Sequence, residues 1–232
     1  MKFETADKRY LTNRKQFSEK MGNRELWSIM DQWPLYVGIG NLSRFMVISD
    51  LLRSTLDVPG HIVEFGSWKG ANLMFMAKLM QIYDPNGSKE VLCFESFEGL
   101  QTITDRDNNV VSGAYKGNYE RLIDLINLYD LQDNIVIHMG NIIEILPILL
   151  KNEALNFSFV YCDMDLYEPT KLVLDCIHPR LSKGGLIVLD EWNYARWPGE
   201  SIAVSEFLDT HDGYEMKHVR NARQPSLVLK KI

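Results

Sequence analysis

An α/β fold built on a mostly parallel sheet is what this sequence predicts, and three observations predict it. From residue 61 onward, short apolar β-rich runs alternate with longer stretches of helical periodicity, the pattern of strand–helix–strand units with right-handed crossovers. The run His61-Ile62-Val63-Glu64-Phe65 passes through Gly66-Ser67-Trp68-Lys69-Gly70 into a helical stretch; two glycines there let a backbone approach a ligand closely. Four of the five strand runs that precede helices end in an acid: Glu64, Glu95, Asp163 and Asp190. In an open α/β sheet these strand ends face one crevice, where ligands bind.

The elements follow in order. Residues 1–24 are polar and charged with sparse aromatics, an arm or first helix of low intrinsic stability. Glu25 to Tyr36 carries Leu26, Ile29, Met30 and Trp33 at helical spacing, with Pro34 near its end. From Asn41 a second helix places Phe45, Ile48, Leu51, Leu52 and Leu56 on one apolar face. Val58-Pro59-Gly60 breaks it, so a helical arm or lid over 1–58 precedes a ligand-binding domain over 59–232. A strand over 61–65 is followed by a helix over about 69–83 and a turn at Asp84-Pro85-Asn86-Gly87. A strand from Glu90 to Phe94 ends at Glu95; a polar loop over 99–114 precedes a helix over about 115–129. The third strand, Asn134 to Met139, ends at Gly140-Asn141 and leads to a helix over 142–151. The fourth, Phe157 to Cys162, ends at Asp163 before a helix over about 168–179. Lys183-Gly184-Gly185 turns into a fifth strand, Leu186 to Leu189, ending at Asp190-Glu191, and a helix follows over about 199–210. Tyr214 to Val219 and Ser226 to Lys230 flank a turn-like segment and read as an antiparallel hairpin. Five βα strands and this hairpin make seven.

Composition narrows the function classes. The chain has 232 residues, 46% hydrophobic and 24% charged, ordinary for a globular protein able to bury roughly 70–75% of its unfolded surface. Net charge is −6 with no long Lys/Arg run, which argues against nucleic acid and anionic membranes as partners. Cys93, Cys162 and Cys176 lie far apart without metal spacing, and the first two fall in apolar strand runs; buried thiols suit a reducing cytoplasm. No apolar stretch reaches 18 residues and no signal-peptide pattern opens the chain, so a soluble cytoplasmic protein is expected. The apolar helix faces before residue 58 suggest a homodimer or higher homo-oligomer.

The strand-end acids carry the candidate chemistry. Each alone reads as a helix cap or a solvated loop residue, but acids clustered at one sheet edge repel unless something cationic or hydroxylic sits among them. Glu95 lies 25 residues past Gly70, where dinucleotide folds place an acid on the ribose hydroxyls. Asp163, Asp190 and Glu191 offer hard oxygen ligands from neighbouring strand ends, a donor set that suits Mg²⁺; the competing reading has Glu191 capping the next helix. Trp33, Trp192, Tyr194 and Trp197 are candidate stacking faces for a ring of a bound ligand, while His138 and His178 sit within strand and helix patterns and read as structural.

Four stretches, taken together, resemble the macrocin O-methyltransferase family of S-adenosylmethionine-dependent sugar O-methyltransferases. They are Val63-Glu64-Phe65-Gly66-Ser67-Trp68-Lys69-Gly70-Ala71, Phe94-Glu95-Ser96-Phe97-Glu98-Gly99-Leu100, Cys162-Asp163-Met164-Asp165-Leu166-Tyr167-Glu168-Pro169-Thr170, and Leu181-Ser182-Lys183-Gly184-Gly185-Leu186-Ile187-Val188-Leu189-Asp190-Glu191. The resemblance covers about residues 35–210 and implies a Rossmann-like class I methyltransferase sheet of seven strands with a C-terminal antiparallel hairpin. It implies that Glu64, Gly66, Ser67, Trp68 and Gly70 hold the methionine part of S-adenosylmethionine, Glu95 and Ser96 its ribose, and Gly140 and Asn141 its adenine. Asp163, Asp190 and Glu191 would match the family's metal ligands, with Asp163 also touching the cofactor and serving as base for the sugar hydroxyl. Arg196-Trp197-Pro198-Gly199 resembles the family's Trp-Pro-Gly loop beside the acceptor, a sugar, a glycosylated natural product or a polysaccharide end. Two departures lengthen an acidic arm while keeping its charge: Glu191 and Glu95 stand where the family usually has Asp. A nicotinamide-dependent oxidoreductase and a non-catalytic cofactor-binding protein are the alternatives. The sequence lacks the Gly-x-Gly-x-x-Gly fingerprint and a hydride-transfer set expected of the first, and its intact acids argue against the second.

Overall fold

A computed structural model describes residues 29–108 and 110–232. The arm expected over 1–24 lies outside these residues, as does the start of the helix expected from Glu25. Within the described part of that stretch, Trp33–Leu35 forms a 3₁₀ turn with Pro34 at its start. Six helices follow: α1 (Ile39–Arg53), α2 (Ala71–Tyr83), α3 (Tyr119–Leu128), α4 (Ile142–Asn152), α5 (Tyr167–Ile177) and α6 (Pro198–Thr210). Seven strands, β1 (His61–Phe65), β2 (Val91–Glu95), β3 (Ile135–Met139), β4 (Phe157–Cys162), β5 (Leu181–Leu189), β6 (Tyr214–His218) and β7 (Leu227–Lys231), join in the order β3-β2-β1-β4-β5-β7-β6.

The first five strands are parallel, and β7 runs antiparallel to both β5 and β6. The order reverses between β1 and β4, so two strand ends diverge there to opposite crossovers and leave a crevice at their carboxyl ends. Side chains alternate across the sheet. Ile62, Phe159, Tyr161, Val188 and Val228 face α1, α2 and α3, against Ile48, Leu52, Leu73, Met76 and Leu122. Val63, Phe65, Val160, Cys162, Ile187 and Leu229 face α4, α5 and α6, against Leu146, Val173 and Phe207. The result is a three-layer sandwich with two apolar cores.

The structure shifts two boundaries and breaks one register. Helix α3 begins at Tyr119 because the Asn118 side chain accepts the Arg121 N–H at 2.9 Å, an N-cap that fixes the start. Strand β5 begins at Leu181, ahead of the Gly184-Gly185 pair, since Leu181 already pairs with Phe157. Phe157 and Phe159, of the same parity in sequence, face opposite cores because the register breaks between them. Ser158 is the irregular residue, and its Oγ accepts from Lys89 at 3.1 Å and donates to the Gly60 carbonyl at 3.0 Å. Lys89 also donates to the Thr55 and Val58 carbonyls, clamping the segment after α1 to the sheet. Among the described residues no helix is long and apolar enough to cross a membrane.

Candidate functional site

The turn from β1 into α2 is shaped by close backbone approach. Gly66 adopts φ +82°, and a Cβ there would sit 2.0 Å from the Asp163 carbonyl oxygen; only glycine lets the ends of β1 and β4 lie this close. Gly70, also at φ +82°, faces Leu122 Cδ1, which a Cβ would meet at 2.5 Å. Its role is thus to seat α3 against the turn, and it does not line the cavity. Glu64 is 1% exposed and stands behind the lining. It accepts from Ser67 Oγ at 2.6 Å and bonds Asn72, both of which do line the cavity. Burial raises Glu64 to about 7, against the pull of those hydrogen bonds and of Arg44. Ser67 in turn accepts from the buried Cys93 thiol at 3.1 Å.

Trp68 takes φ 49°, which aims its N–H at Glu95 Oε2, 2.7 Å away; the Phe97 N–H reaches Glu95 Oε1 at 2.8 Å. Each carboxylate oxygen has two acceptor sites, so Glu95 is held in place and keeps capacity for hydroxyl donors. Ser96, Gly140 and Asn141 line the same end of the cavity, and the Asn141 side chain caps α4 by accepting the Ile143 N–H at 3.1 Å. The cavity, about 520 Å³, runs from these residues past Asp163 to Asp165, Asp190, Glu191, Tyr194 and Trp197. That size suits a nucleoside-sized ligand with a second small molecule at its far end.

Five carboxyls crowd the far end: Asp163, Asp165, Asp190, Glu191 and Glu200. Burial is the largest cause raising four of them, with the Asp190 charge next: Asp165 to about 7, Glu191 to about 8, Asp163 and Glu200 well above the usual range. Opposing this is Arg44, on α1. Its Nη2 donates to Asp163 Oδ2 at 3.1 Å and lies 3.1 Å from Asp190 Oδ1. The Tyr161 hydroxyl also donates to Asp190 Oδ1. Glu191 Oε1 accepts from Gln224, while its Oε2 is buried without a hydrogen-bond partner among the described residues. Glu191 does not cap α6: its own backbone N–H donates to Glu200 Oε1 at 2.8 Å.

The three acids expected to hold Mg²⁺ are therefore neighbours, but they do not form a metal cage. Among the described residues no group of three or more His, Cys, Asp or Glu side chains is placed to hold a metal ion. The physical reason is the guanidinium: it stands between Asp163 and Asp190, where an ion bridging them would have to sit. Mg²⁺ does not fit the arrangement present.

Arg44 and Glu200 are the residues that the sequence reading missed. Arg44 was given no role in the sequence reading, although it lies one turn before Ile48 and two before Leu51 on the apolar face of α1; that spacing was the available signal. Glu200 sits in the first turn of α6 and is fully buried, which no local pattern announces.

The loop expected over 99–114 lines the cavity through Gly99 to Thr102 and is anchored by Asp107. Asp107 Oδ1 accepts the Tyr167 N–H at 2.9 Å at the start of α5, and Oδ2 accepts from the Thr104 N–H and hydroxyl at 2.9 and 2.8 Å. Gly199 leaves room for this carboxylate, since a Cβ there would lie 2.0 Å from Asp107 Oδ1. Tyr115 stacks edge-on against both Trp68 and Trp197, at 5.6 and 6.0 Å, and bridges the two ends of the cavity. Trp33 is 48% exposed and outside the lining, whereas Tyr194 and Trp197 line it and Trp192 packs against the α4–α6 core. His138 stacks on Phe94 and His178 bonds Tyr214, both away from the cavity.

With this geometry in hand, the comparisons with known proteins are specific. The family model described as macrocin-O-methyltransferase (TylF) matches residues 6–219. Mycinamicin III 3''-O-methyltransferase of Micromonospora griseorubida is 29% identical over 162 residues, 66% of this chain and 62% of that protein. The chain thus spans just under two thirds of that relative's length. A crystal structure of CalS11, a calicheamicin methyltransferase, superposes with a TM-score of 0.82 at 26% identity, covering 95% of this chain and 91% of the other. An apo structure of CalS11, described as a TDP-rhamnose 3'-O-methyltransferase, superposes at 0.74 with 27% identity, covering 95% and 93%.

Proposed function

The chain belongs to the macrocin O-methyltransferase family, and on that premise we propose that it transfers a methyl group from S-adenosylmethionine to a hydroxyl of a sugar or glycosylated small molecule. The observation that carries the proposal is the single cavity with two chemically different ends. One is lined by Gly66, Ser67, Trp68, Glu95, Ser96, Gly140 and Asn141, the other by carboxyls and aromatic rings, and they meet at Asp163. The first end suits the cofactor. Backbone N–H groups at Ser67 and beyond and the dipole of α2 favour its carboxylate, and Glu95 favours its ribose hydroxyls. Ser96, Gly140 and Asn141 are placed to flank the base.

Methyl transfer is an in-line displacement. The sulfur–methyl bond breaks with its electron pair going to sulfur as the acceptor oxygen bonds the methyl carbon, and the hydroxyl proton must leave. Alignment supplies most of the rate; the rest needs a base. Asp163 is the group we assign to accept that proton, at the junction of the two ends. Its burial and the Asp190 charge make it more basic than an ordinary carboxylate, with Arg44 opposing. Tyr194 and Trp197 offer faces for a sugar ring.

Residues 1–58 are proposed to form a helical arm or lid packed on the core. The exposed Ile39, Leu42 and Met46 of α1 support self-association into a homodimer. The free thiols Cys93, Cys162 and Cys176 suit a cytoplasmic setting. The test is calorimetric titration with S-adenosylhomocysteine, then methyl transfer to a panel of nucleoside-diphosphate sugars and neutral glycosides. Micromolar binding and turnover that is lost in Asp163→Ala support the reading; binding of NAD in place of S-adenosylhomocysteine overturns it.

A further inference from the structure

We infer that Arg44 takes the place of a divalent cation between Asp163 and Asp190, so that the acceptor end is charge-balanced by a residue of the chain itself. This deepens the methyl-transfer reading and rests on it. One terminal nitrogen of the guanidinium lies 3.1 Å from an oxygen of each carboxylate. A Mg²⁺ ion binds its oxygen ligands at about 2.0–2.1 Å. An ion bridging these two oxygens would press against Nη2, placing two cations in contact with no oxygen between them.

Three further observations point the same way. Asp190 Oδ1 already takes a second donor, the Tyr161 hydroxyl, beneath the guanidinium. Glu191, the remaining acid of the expected triad, has Oε1 taken by Gln224 and only Oε2 without a partner among the described residues. The helix that carries Arg44 is pinned by the buried Val47, Ile48 and Leu52, which fixes the backbone position from which the guanidinium reaches the two carboxylates. Its side chain is 20% exposed and lines the cavity. The guanidinium fork is always charged and holds two carboxylates in a fixed relation. Arg44 is thus a positioning residue: it keeps Asp163 oriented toward the acceptor hydroxyl, acting through that carboxylate.

The test reads metal binding and does not depend on turnover. Protein stripped with chelator is titrated with Mn²⁺, following the free ion by electron paramagnetic resonance, for wild type, Arg44→Ala, Arg44→Met and Arg44→Lys. The expected result is no specific Mn²⁺ site in wild type or Arg44→Lys. Arg44→Ala and Arg44→Met expose the carboxylate pair and gain a site roughly tenfold tighter or more. A stoichiometric Mn²⁺ site in wild type overturns the inference, and so does a folded Arg44→Ala or Arg44→Met protein that gains none. If neither variant folds, the wild-type titration decides alone. A merely structural Arg44 would leave metal affinity unmoved on removal. Failure of S-adenosylhomocysteine binding would sink the methyltransferase reading and leave these titrations as they are.

Discussion

The Cα of Gly66 lies so near Asp163 that a single added Cβ would stand 2.0 Å from the Asp163 carbonyl oxygen. The two backbones are also tied together by the Asp163 N–H, which donates to the Phe65 carbonyl at 2.9 Å, while the Gly66 N–H donates to Phe94 of β2 at 3.0 Å. Gly66→Ala therefore forces apart the two strand ends that carry the cofactor turn and the proposed base. We expect a loss of about 2–4 kcal/mol in urea unfolding, with S-adenosylhomocysteine affinity falling as well. A variant of unchanged stability would mean that the backbones separate without strain.

Glu64 predicts a pH dependence of stability. Its pKa is raised from 4.5 to about 7 in the fold, chiefly by burial. The folded chain holds this proton more tightly than the unfolded one, so the associated stability is complete below pH 4.5 and is lost as pH rises through about 7. Relative to Glu64→Gln, which does not titrate, the wild type should lose about 3 kcal/mol across that window. Unfolding both proteins below pH 4.5 and above pH 7 measures the difference; a constant difference would contradict the assignment.

Glu95 holds the Trp68 and Phe97 amides with its two oxygens. Glu95→Gln removes the charge and turns a donor toward one of these amides. S-adenosylhomocysteine affinity should weaken by about tenfold or more, equivalent to about 1.4 kcal/mol, the scale of one lost charge-assisted bond. Calorimetry reads it directly, and near-normal affinity would remove Glu95 from the cofactor contacts.

Asp107 should affect the acceptor and spare the cofactor. It ties the 99–114 loop to the start of α5 and accepts three hydrogen bonds. Asp107→Ala should destabilise the fold by about 1–3 kcal/mol and raise the acceptor KM, with S-adenosylhomocysteine affinity unchanged. Equal losses at both ends of the cavity would show that the loop supports the whole site.

Much of the architecture was legible because it rests on periodicity. The β1 run, the glycine turn and the alternation that follows are local patterns, and the seven-stranded sheet with its antiparallel hairpin repeats them in space. Asn118 starting α3 is a local cap three residues from its partner that the sequence reading did not use, and what could not be read was long-range: Ser158 breaking the alternation of β4, and Leu181 opening β5 before two glycines. At the site, the strand-end acids were found because position on a strand is a sequence property. Whether Glu64 and Gly70 face the cavity or support it from behind depends on what packs against them, namely Ser67, Asn72 and Leu122. Arg44 was hidden for the same reason. A charged residue on a helix reads as solvated until a partner 119 positions away is known.

The insertion of β7 between β5 and β6 makes it the strand through which β6 is joined to the sheet. β6 comes first along the chain, yet among the described strands its only hydrogen-bonded neighbour is β7. Without β7, β5 would present a bare edge of Leu186 to Leu189 and β6 would have no strand to pair with among the described residues. The five residues from Leu227 to Lys231 thus act as a closing wedge, recruiting two strands in one step. Removing them should leave a protein that still collects its parallel half but sticks to other copies through the unsealed edge.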